Sequence, residues 1–229
     1  MLAIIDYRTP AEAIDKLASY ADEILLFNSF DITYNSISGH PDIFIFKDPD
    51  NLIIAPNSPE QLFQFLNKHK IKYILGNKGI GKELRSSVLY NCLCTDEYLF
   101  HKSGFTDDAI LRLNSKKRFV PVPQAYTRCS LTHITDDNYI TSDRGIERAL
   151  KNNGLNCFYF SADQINIVTH KNGFFGGTNG MYDNKIFFTG NIDLHKNGID
   201  LRKHLESFDI EIICLTNNFL YDGGGIFFL

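Results

Sequence analysis

The sequence predicts an α/β protein built as a closed propeller of five ββαβ units. A strand–turn–strand–helix–strand pattern recurs along the chain, and its turn residues Asn51, Glu97, Asn138 and Asn184 are 46, 41 and 46 residues apart. Such a period is typical of stacked or ring-shaped arrays. The chain begins with a strand, a helix and a strand, and it ends with a lone strand, so the two ends together supply one more unit. Closing the ring would remove the exposed sheet edges of an open array.

The first 28 residues supply most of the shared unit. Leu2–Asp6 and Glu23–Phe27 are predicted strands, and a helix with one apolar face lies between them. Thr9, Pro10 and Glu12 fit a T-x-x-E capping box with proline at the first helical position. The sequence therefore predicts that this helix is capped by its own side chains.

Four complete units follow, and each has the same order of elements. The predicted elements are Ile43–Phe46, Leu52–Ala55, a helix containing Leu62 and Leu66, and Lys72–Leu75; Val88–Cys94, Tyr98–His101, Asp107–Leu113 and Phe119–Val122; Ser130–Thr135, Tyr139–Thr141, Arg144–Leu150 and Cys157–Phe160; and Gly180–Tyr182, Lys185–Thr189, Leu201–Phe208 and Glu211–Leu215. Ser58 and Gln61 repeat the capping pattern, and Ser142 or Asp143 is the candidate N-cap of the third unit's helix. The last strand, Ile226–Leu229, is expected to pair beside the first.

The chain length suits one large domain. With 229 residues and 44% hydrophobic residues, the chain can bury a full core. We find no linker rich in Pro, Gly or Ser, so we predict a single domain over residues 1–229. Its units lie at about 29–76, 77–123, 124–160 and 161–216, with residues 217–229 joined to 1–28.

Charge and cysteine content exclude several functional classes. The net charge of -4 and a pI near 6.0 argue against a nucleic-acid surface, which needs clustered Lys and Arg. No apolar run approaches the ~20 residues that span a bilayer, and the N-terminus lacks the basic region of a signal peptide. The five cysteines form no CxxC pair and are typical of reduced thiols. We therefore expect a cytoplasmic protein with neither a nucleic-acid nor a membrane partner.

Four motifs carry a resemblance to a known family. The segments SGHPDIFI, YTRCS, TSDRGI and FFGGTNG resemble an uncharacterised bacterial family of the guanidino-group-modifying, or pentein, fold. The likeness covers nearly the whole chain. The wider superfamily includes arginine and agmatine deiminases, dimethylarginine hydrolases and amidinotransferases, and its fold is five ββαβ units in pseudo-fivefold arrangement. The resemblance implies this fold, but the resembled family has no activity to carry over.

The superfamily's chemistry implies which residue types to expect. In its enzymes a Cys thiolate attacks the guanidinium carbon, a His moves protons, and acidic residues hold the guanidinium group. A resonance-stabilised cation needs a soft and strong nucleophile, and paired carboxylates match its planar N–H groups.

The resemblance places these roles on particular residues. His40 and Asp42 match the H-x-D pattern in which the superfamily's His commonly occurs. The superfamily's Cys usually follows a glycine-rich segment in the last unit, and here Phe228 stands at that position. Cys129 lies two units after His40, and Arg128-Cys129 resembles the R-C-x context of the deiminase nucleophile. A ring permuted by its own symmetry would therefore use Cys129.

We predict a Cys/His/Asp site at the ring centre. The predicted catalytic residues are Cys129, His40 and Asp42, and the predicted substrate-binding residues are Asp222, Asn179, Thr178 and Arg128. No cofactor and no metal are expected, and the expected ligand is a small cationic metabolite. The predicted function is a hydrolase or transferase that acts on a small guanidino or amidino compound.

Each assignment has an alternative that involves no catalysis. Cys129 is also typical of a small buried hydrophobe, and Asp222 of a turn residue. His40 and Asp42 also fit a loop cap or half of a metal site, although no third ligand is spaced with them. The alternative function is a non-catalytic pentein that serves as a small-cation-binding or protein-interaction module. Phe228 in place of the terminal Cys favours this alternative, and the spacing of His40 and Cys129 favours the enzyme.

A second motif points to a different function. Residues 76–82, GNKGIGK, follow a predicted strand and fit the phosphate-binding pattern GxxxxGK. The next residue is Glu83, where a Ser or Thr hydroxyl should bind Mg²⁺, and the surrounding units are not a nucleotide-binding parallel sheet. We therefore predict a mobile loop over the cavity and not a nucleotide site.

Overall fold

Five sheets of three strands each form the framework of the computed structural model, which describes residues 1–229. In every sheet the middle strand pairs antiparallel with one neighbour and parallel with the other, which follows a helix. This is the ββαβ connectivity, so the predicted five-unit α/β propeller is confirmed. We call the antiparallel neighbour the inner strand of its sheet.

The elements of each sheet are an inner strand, a middle strand, a helix and a third strand, in that order. They are β15 (Phe227–Phe228), β1 (Leu2–Asp6), α1 (Ala11–Leu17) and β2 (Glu23–Phe27); β3 (Ile45–Lys47), β4 (Leu52–Ile54), α2 (Glu60–Lys68) and β5 (Ile74–Leu75); β6 (Leu93–Cys94), β7 (Tyr98–His101), α4 (Asp108–Leu113) and β8 (Arg118–Pro121); β9 (Leu131–Thr135), β10 (Asn138–Thr141), α6 (Arg144–Asn152) and β11 (Asn156–Tyr159); and β12 (Asn179–Tyr182), β13 (Lys185–Phe188), α7 (Gly198–Glu206) and β14 (Glu211–Cys214). Two further helices, α3 (Leu84–Ser87) and α5 (Thr127–Ser130), precede inner strands, and 3₁₀ turns lie at Asn35–Ile37, Pro41–Ile43, Phe175–Thr178 and Ile192–Leu194.

The two ends of the chain meet in one sheet. Strand β15 pairs antiparallel with β1, and the pairing extends to reciprocal backbone hydrogen bonds of 2.9 and 3.0 Å between Leu2 and Leu229. Strand β2 completes this sheet on the parallel side of β1. The predicted closure of the ring by the N- and C-terminal segments is therefore confirmed. Inner strands of neighbouring sheets also touch, β6 against β9 and β12 against β15.

Helix α6 shows why the sequence forms these elements. Ile146 and Leu150 are buried on one face, and the Asp143 side chain caps the helix by accepting hydrogen bonds from the amides of Gly145 and Ile146. The largely buried Glu147 forms ion pairs with the basic residues three positions before it and four after it. Of the two predicted N-cap candidates, Ser142 and Asp143, it is Asp143 that caps the helix.

The two predicted capping boxes are wrong. Helices α1 and α2 begin after Pro10 and Pro59, which occupy the N-cap position with extended backbone angles, and neither helix has a side-chain cap. Because each proline precedes the helix and is not its first residue, Thr9 and Ser58 lie one position too early. The Ser58 hydroxyl donates to a carbonyl of the preceding turn instead.

Inner strands are shorter than predicted. The predicted strand Ile43–Phe46 is partly a 3₁₀ turn, Pro41–Ile43, and the predicted Val88–Cys94 is extended only over its last two residues. Ser130, expected in a strand, lies at the end of the short helix α5. Tight turns therefore lead the chain into the ring, and these turns carry the polar side chains described below.

Most apolar packing lies between the sheets and their helices. The largest buried cluster joins 21 side chains from three neighbouring sheets, and three smaller clusters complete the ring. Several buried polar side chains, among them His40, Asp42 and Asn91, lie in the segments that lead into inner strands. None of the helices has the length and apolar character needed to cross a membrane.

The ring closure can be tested at Phe228. This side chain is 4% exposed, and its ring centroid lies 4.9 Å from that of Phe187. We expect Phe228→Ala to lower the free energy of unfolding by about 3–5 kcal/mol, because it removes a buried aromatic ring from the closing strand. Phe219→Ala, at a position that is 46% exposed, should change it by less than about 0.5 kcal/mol. Urea unfolding measures both, and equal losses would contradict this role of Phe228.

Candidate active site

The candidate site lies where two chain segments enter inner strands of different sheets. His40 directly precedes the 3₁₀ turn Pro41–Ile43, which contains Asp42 and leads toward β3. Proline at the first position of this turn fixes its backbone and so sets the direction of both side chains. Cys129 lies in α5, immediately before β9. The two segments are 87 residues apart, between Asp42 and Cys129, and the ring brings them together.

A thiol, an imidazole and a carboxylate converge here. The ligand atoms of His40, Asp42 and Cys129 all lie within 4.8 Å of one another. The Cys129 thiol donates a hydrogen bond to Asp42 Oδ2 at 2.7 Å. Neither ring nitrogen of His40 nor Oδ1 of Asp42 has a hydrogen-bond partner, although all three atoms are buried. Unpaired buried polar atoms are costly, so this cluster holds bonding capacity that the fold itself does not use.

The surroundings of Cys129 keep its thiol protonated. Cys129 is 2% exposed, and its sulfur accepts a hydrogen bond from Asn91 Nδ2 at 3.3 Å. Burial raises the pKa of Cys129 well above its usual value, and the negative charges of Asp42 and Asp222 raise this pKa further. These surroundings therefore favour the neutral thiol form of the candidate nucleophile.

His40 is held neutral by its surroundings. Burial lowers the pKa of His40, and the opposing charges of Asp222 and Asp6 only partly offset this. Its Nε2 lies 3.8 Å from Asp6 Oδ2. Gly224, with a φ of +72°, packs against the His40 side chain, and a Cβ there would lie 2.5 Å from that of His40. A neutral imidazole is in the form that can accept a proton.

Asp222 is a second buried carboxylate beside His40. It accepts backbone hydrogen bonds from Phe174 at 2.7 Å and from Gly224 at 3.1 Å. A Cβ on Gly177 would fall 1.8 Å from Asp222 Oδ1, so only glycine leaves room for this carboxylate. Burial raises the pKa of Asp222, while His40 and the two amides lower it. Asp222 thus faces the cluster without being part of its hydrogen-bonded core.

The guanidinium group of Arg128 is held at the edge of the site by contacts with the protein itself. Its Nη1 donates to the Gly224 carbonyl at 3.0 Å and lies 3.5 Å from Asp42 Oδ2. The guanidinium group stacks over Phe227 at 4.2 Å. The predicted substrate-binding role of Arg128 therefore has a competing function, because its charge already compensates Asp42.

Thr178 and Asn179 lie near the axis but bond to the protein. The hydroxyl of Thr178 and the amide nitrogen of Asn179 both donate to the Phe175 carbonyl, at 2.7 and 2.8 Å. The side-chain oxygen of Asn179 accepts from Thr132. In this arrangement both predicted binding residues support the turn before β12.

Three polar residues of the site were not predicted from the sequence. Asp6 and Arg8 form a bidentate ion pair, with Nε–Oδ1 at 2.9 Å and Nη2–Oδ2 at 2.6 Å, next to His40. Asn91 bonds to both the sulfur and the backbone amide of Cys129. Asn91 did carry a signal, since it is the one strongly polar residue in the apolar run from Val88 to Cys94. For Asp6 and Arg8 the sequence contains no signal other than their position at the end of a predicted strand.

The same cluster has the composition of a metal site. The sequence places no third ligand near His40 and Asp42, and the expectation drawn from that spacing is wrong. In the folded chain Cys129 supplies a third ligand atom. Zinc accepts this set of donors. The guanidinium of Arg128, 3.5 Å from Asp42 Oδ2, places a positive charge that opposes a divalent cation at this position. The geometry therefore favours acid–base or nucleophilic chemistry over metal binding.

The GxxxxGK loop does not present its amides to a phosphate. The carboxylate of Asp107 accepts hydrogen bonds from the amides of Asn77 and Lys78 and also caps α4 through Ala109. The protein's own carboxylate thus occupies the place of an anion in this loop. None of residues 76–82 lines the cavity that the five inner strands surround.

Comparison with known proteins identifies the family. The model of a family described as "Family of unknown function (DUF6873)" matches residues 4–227, so the chain belongs to that family. A search of curated proteins found no match.

Solved structures of the same fold are similar over almost the whole chain. DDAH from Pseudomonas aeruginosa, complexed with citrulline, has a TM-score of 0.52 at 9% identity, with 97% of this chain and 92% of that chain covered. C. jejuni agmatine deiminase has a TM-score of 0.56 at 11% identity, with 95% and 86% covered. An amidinotransferase of the saxitoxin pathway from Microseira wollei has 0.54 at 10% identity, with 95% and 88% covered. The likeness establishes the pentein fold, and at these identities it establishes no activity.

The electrostatic effect of Asp42 on the thiol can be measured. We expect Asp42→Asn to lower the pKa of Cys129 by about one unit or more, because it removes the closest negative charge. The pH titration of ¹³Cβ shifts in cysteine-labelled protein follows each thiol. Cys92 is an internal control, since burial raises its pKa too, but the charges that raise this pKa further belong to Cys94, Asp107 and Asp48 and not to Asp42. An unchanged Cys129 midpoint, or an equal shift of Cys92, would contradict the assignment.

Proposed function

We propose that this member of the DUF6873 family is a Cys-dependent hydrolase or transferase that acts on a small guanidino or amidino compound. One observation carries the proposal: the thiol of Cys129, the imidazole of His40 and the carboxylate of Asp42 converge within 4.8 Å from two separate sheets. Unused hydrogen-bonding capacity at His40 and Asp42 adds support. The neighbouring folds named as deiminase, dimethylaminohydrolase and amidinotransferase are consistent with it.

The two buried carboxylates would bind the cation. Asp42 has one oxygen without a hydrogen-bond partner. The carboxylate of Asp222, in the glycine-rich segment near the C-terminus, interacts electrostatically with His40. A planar guanidinium or amidinium group offers paired N–H donors that match carboxylate oxygens. Burial raises the pKa of both carboxyls, and a bound cation would favour their ionised forms. The site is thus suited to a cationic ligand more than to a neutral one.

Binding of the cation would also activate the thiol. A positive charge beside Cys129 lowers its pKa, and neutral His40 is the base that takes its proton. The sulfur then forms a bond to the central carbon of the guanidinium group. As one C–N bond breaks, His40 returns the proton to the leaving amine, which leaves an amidino group bound to sulfur.

A second nucleophile completes the reaction. Neutral His40 takes a proton from water in a hydrolase, or from an acceptor amine in a transferase, as that molecule bonds to the same carbon. The C–S bond breaks, its electron pair returns to Cys129, and the thiolate regains a proton. The products are a ureido compound in the first case and a new guanidino compound in the second.

A non-catalytic cation-binding or protein-interaction module is the second candidate. Arg128 already compensates Asp42, and His40, Asp42, Cys129 and Asp222 are each 2% exposed or less. A site closed in this way binds a ligand only after the segments around it move. The experiment below separates the two candidates.

The test compares two alkylating reagents of nearly the same shape, neutral chloroacetamide and cationic 2-chloroacetamidine. We expect the amidine to modify Cys129 at least about tenfold faster at neutral pH, because its charge binds the carboxylates and lowers the thiol pKa. Mass spectrometry locates the modified cysteine. Asp222→Asn should remove most of the preference, whereas Asp163→Asn, an exposed aspartate in an ion pair with Lys196, should leave it unchanged.

Turnover is measured on the same protein. Agmatine and dimethylarginine, after which two of the similar enzymes are named, begin a panel of guanidino compounds assayed for released ammonia or amine. An equal rate for both reagents would overturn the cation site. A strong amidine preference with no turnover of any guanidino compound would favour the non-catalytic module.

A further inference from the structure

A second site lies on the ring axis at the end opposite the catalytic cluster. It is a cavity of about 330 Å³ to which all five inner strands contribute. Its lining includes Lys47, Thr132, Met181 and Phe228. Neither His40, Asp42 nor Cys129 lines it. A volume of this size is within the range of small-molecule sites.

Arg128 is the boundary between the cavity and the cluster. Its Nη1 faces Gly224 and Asp42, and these are the only hydrogen bonds that its guanidinium makes within the protein. Arginine has five N–H donors in a fixed plane, so the donors on Nε and Nη2 are unused. The side chain is 17% exposed and lines the cavity. The cavity therefore has a partly buried cation with free donors at its inner end.

Lys47 brings a second positive charge to the same cavity. Its ammonium group donates to the Phe228 carbonyl at 2.7 Å. Burial lowers the pKa of Lys47, and the charge of Arg128 lowers it further, so the two cations influence one another. Arg128 is paired with Asp42, whereas Lys47 forms no ion pair, so an anion in the cavity would compensate Lys47 and accept hydrogen bonds from Arg128.

The carboxylates of the lining do not neutralise these cations directly. Asp48 is turned into its own hairpin, where it accepts hydrogen bonds from the amides of Asp50 and Asn51 at 2.8 and 2.7 Å. Asp96 is exposed and makes no ion pair. Of the 19 lining residues, 8 are hydrophobic, among them Leu131 and Ile226.

We infer that this cavity binds a small carboxylate with an apolar body, whose oxygens accept hydrogen bonds from the unused donors of Arg128. A planar carboxylate matches the guanidinium fork, and the apolar lining accommodates the rest of the molecule. The inference does not depend on the proposed enzymatic activity, because the cavity and the cluster share only Arg128.

The test uses benzoate and its neutral isostere benzamide. Isothermal titration calorimetry on the wild-type protein at low salt should detect benzoate binding at least about tenfold tighter than that of benzamide, because only benzoate carries the charge. Neither probe is a guanidine or an amidine, so the result is separate from that of the catalytic test.

A matched pair of variants locates the site. Lys47→Glu should weaken benzoate binding by about tenfold or more, since it reverses one of the two charges. Lys203→Glu makes the same change of net charge at an exposed position of α7 that forms no ion pair, and it should leave the affinity unchanged. Arg128→Gln should abolish benzoate binding. If the Arg128→Gln variant does not fold, the affinity of Lys47→Glu alone tests the location of the site.

Three results would overturn the inference. They are no benzoate binding up to about 10 mM, equal binding of benzoate and benzamide, and equal loss of affinity in Lys47→Glu and Lys203→Glu.

Discussion

The antiparallel pairing of the last strand, β15, with the first strand, β1, is the contact on which the site depends. It closes the ring, and it also holds the glycine-rich segment from Asp222 to Gly225 against the ring axis. Gly224 packs on His40, and Gly225 packs on the guanidinium of Arg128, where a Cβ would lie 2.2 Å from Nη1. Loss of this pairing would therefore remove one wall of the site as well as a unit of the fold.

Ring closure buries ionisable groups on the axis, and each carboxylate is compensated differently. Asp6 is paired with Arg8, Asp222 accepts two backbone amides, and Asp42 faces a thiol and Arg128. Buried charges persist only with such partners. Three of the six buried side-chain atoms without a hydrogen-bond partner are the two ring nitrogens of His40 and Oδ1 of Asp42. These unpaired atoms distinguish the cluster from the structural ion pair of Asp6, which lies only a few ångströms away.

The fold was predictable because its information is periodic and local. Turn residues at a spacing of one supersecondary unit, together with incomplete ends, were enough to indicate a closed ring. The helix caps were predicted less well, since a shift of one residue at Pro10 separates Thr9 from the helix. Within the site, short motifs marked His40, Asp42 and Cys129. Asp6, Arg8 and Asn91 were not predicted, because their places beside His40 and Cys129 depend on contacts between segments that are distant in the sequence. The one local signal was the polar Asn91 within an apolar run.

Arg128 links the two ends of the axis. One of its nitrogens compensates Asp42, and the residue also lines the cavity at the opposite end. An anion that draws the guanidinium toward the cavity would leave Asp42 less compensated and so strengthen its attraction for a cation. By reciprocity, a cation at Asp42 would release Arg128 for the anion. Occupancy of the two ends is therefore expected to be mutually favourable, with Lys47 acting on one end, Asp222 on the other and Arg128 on both.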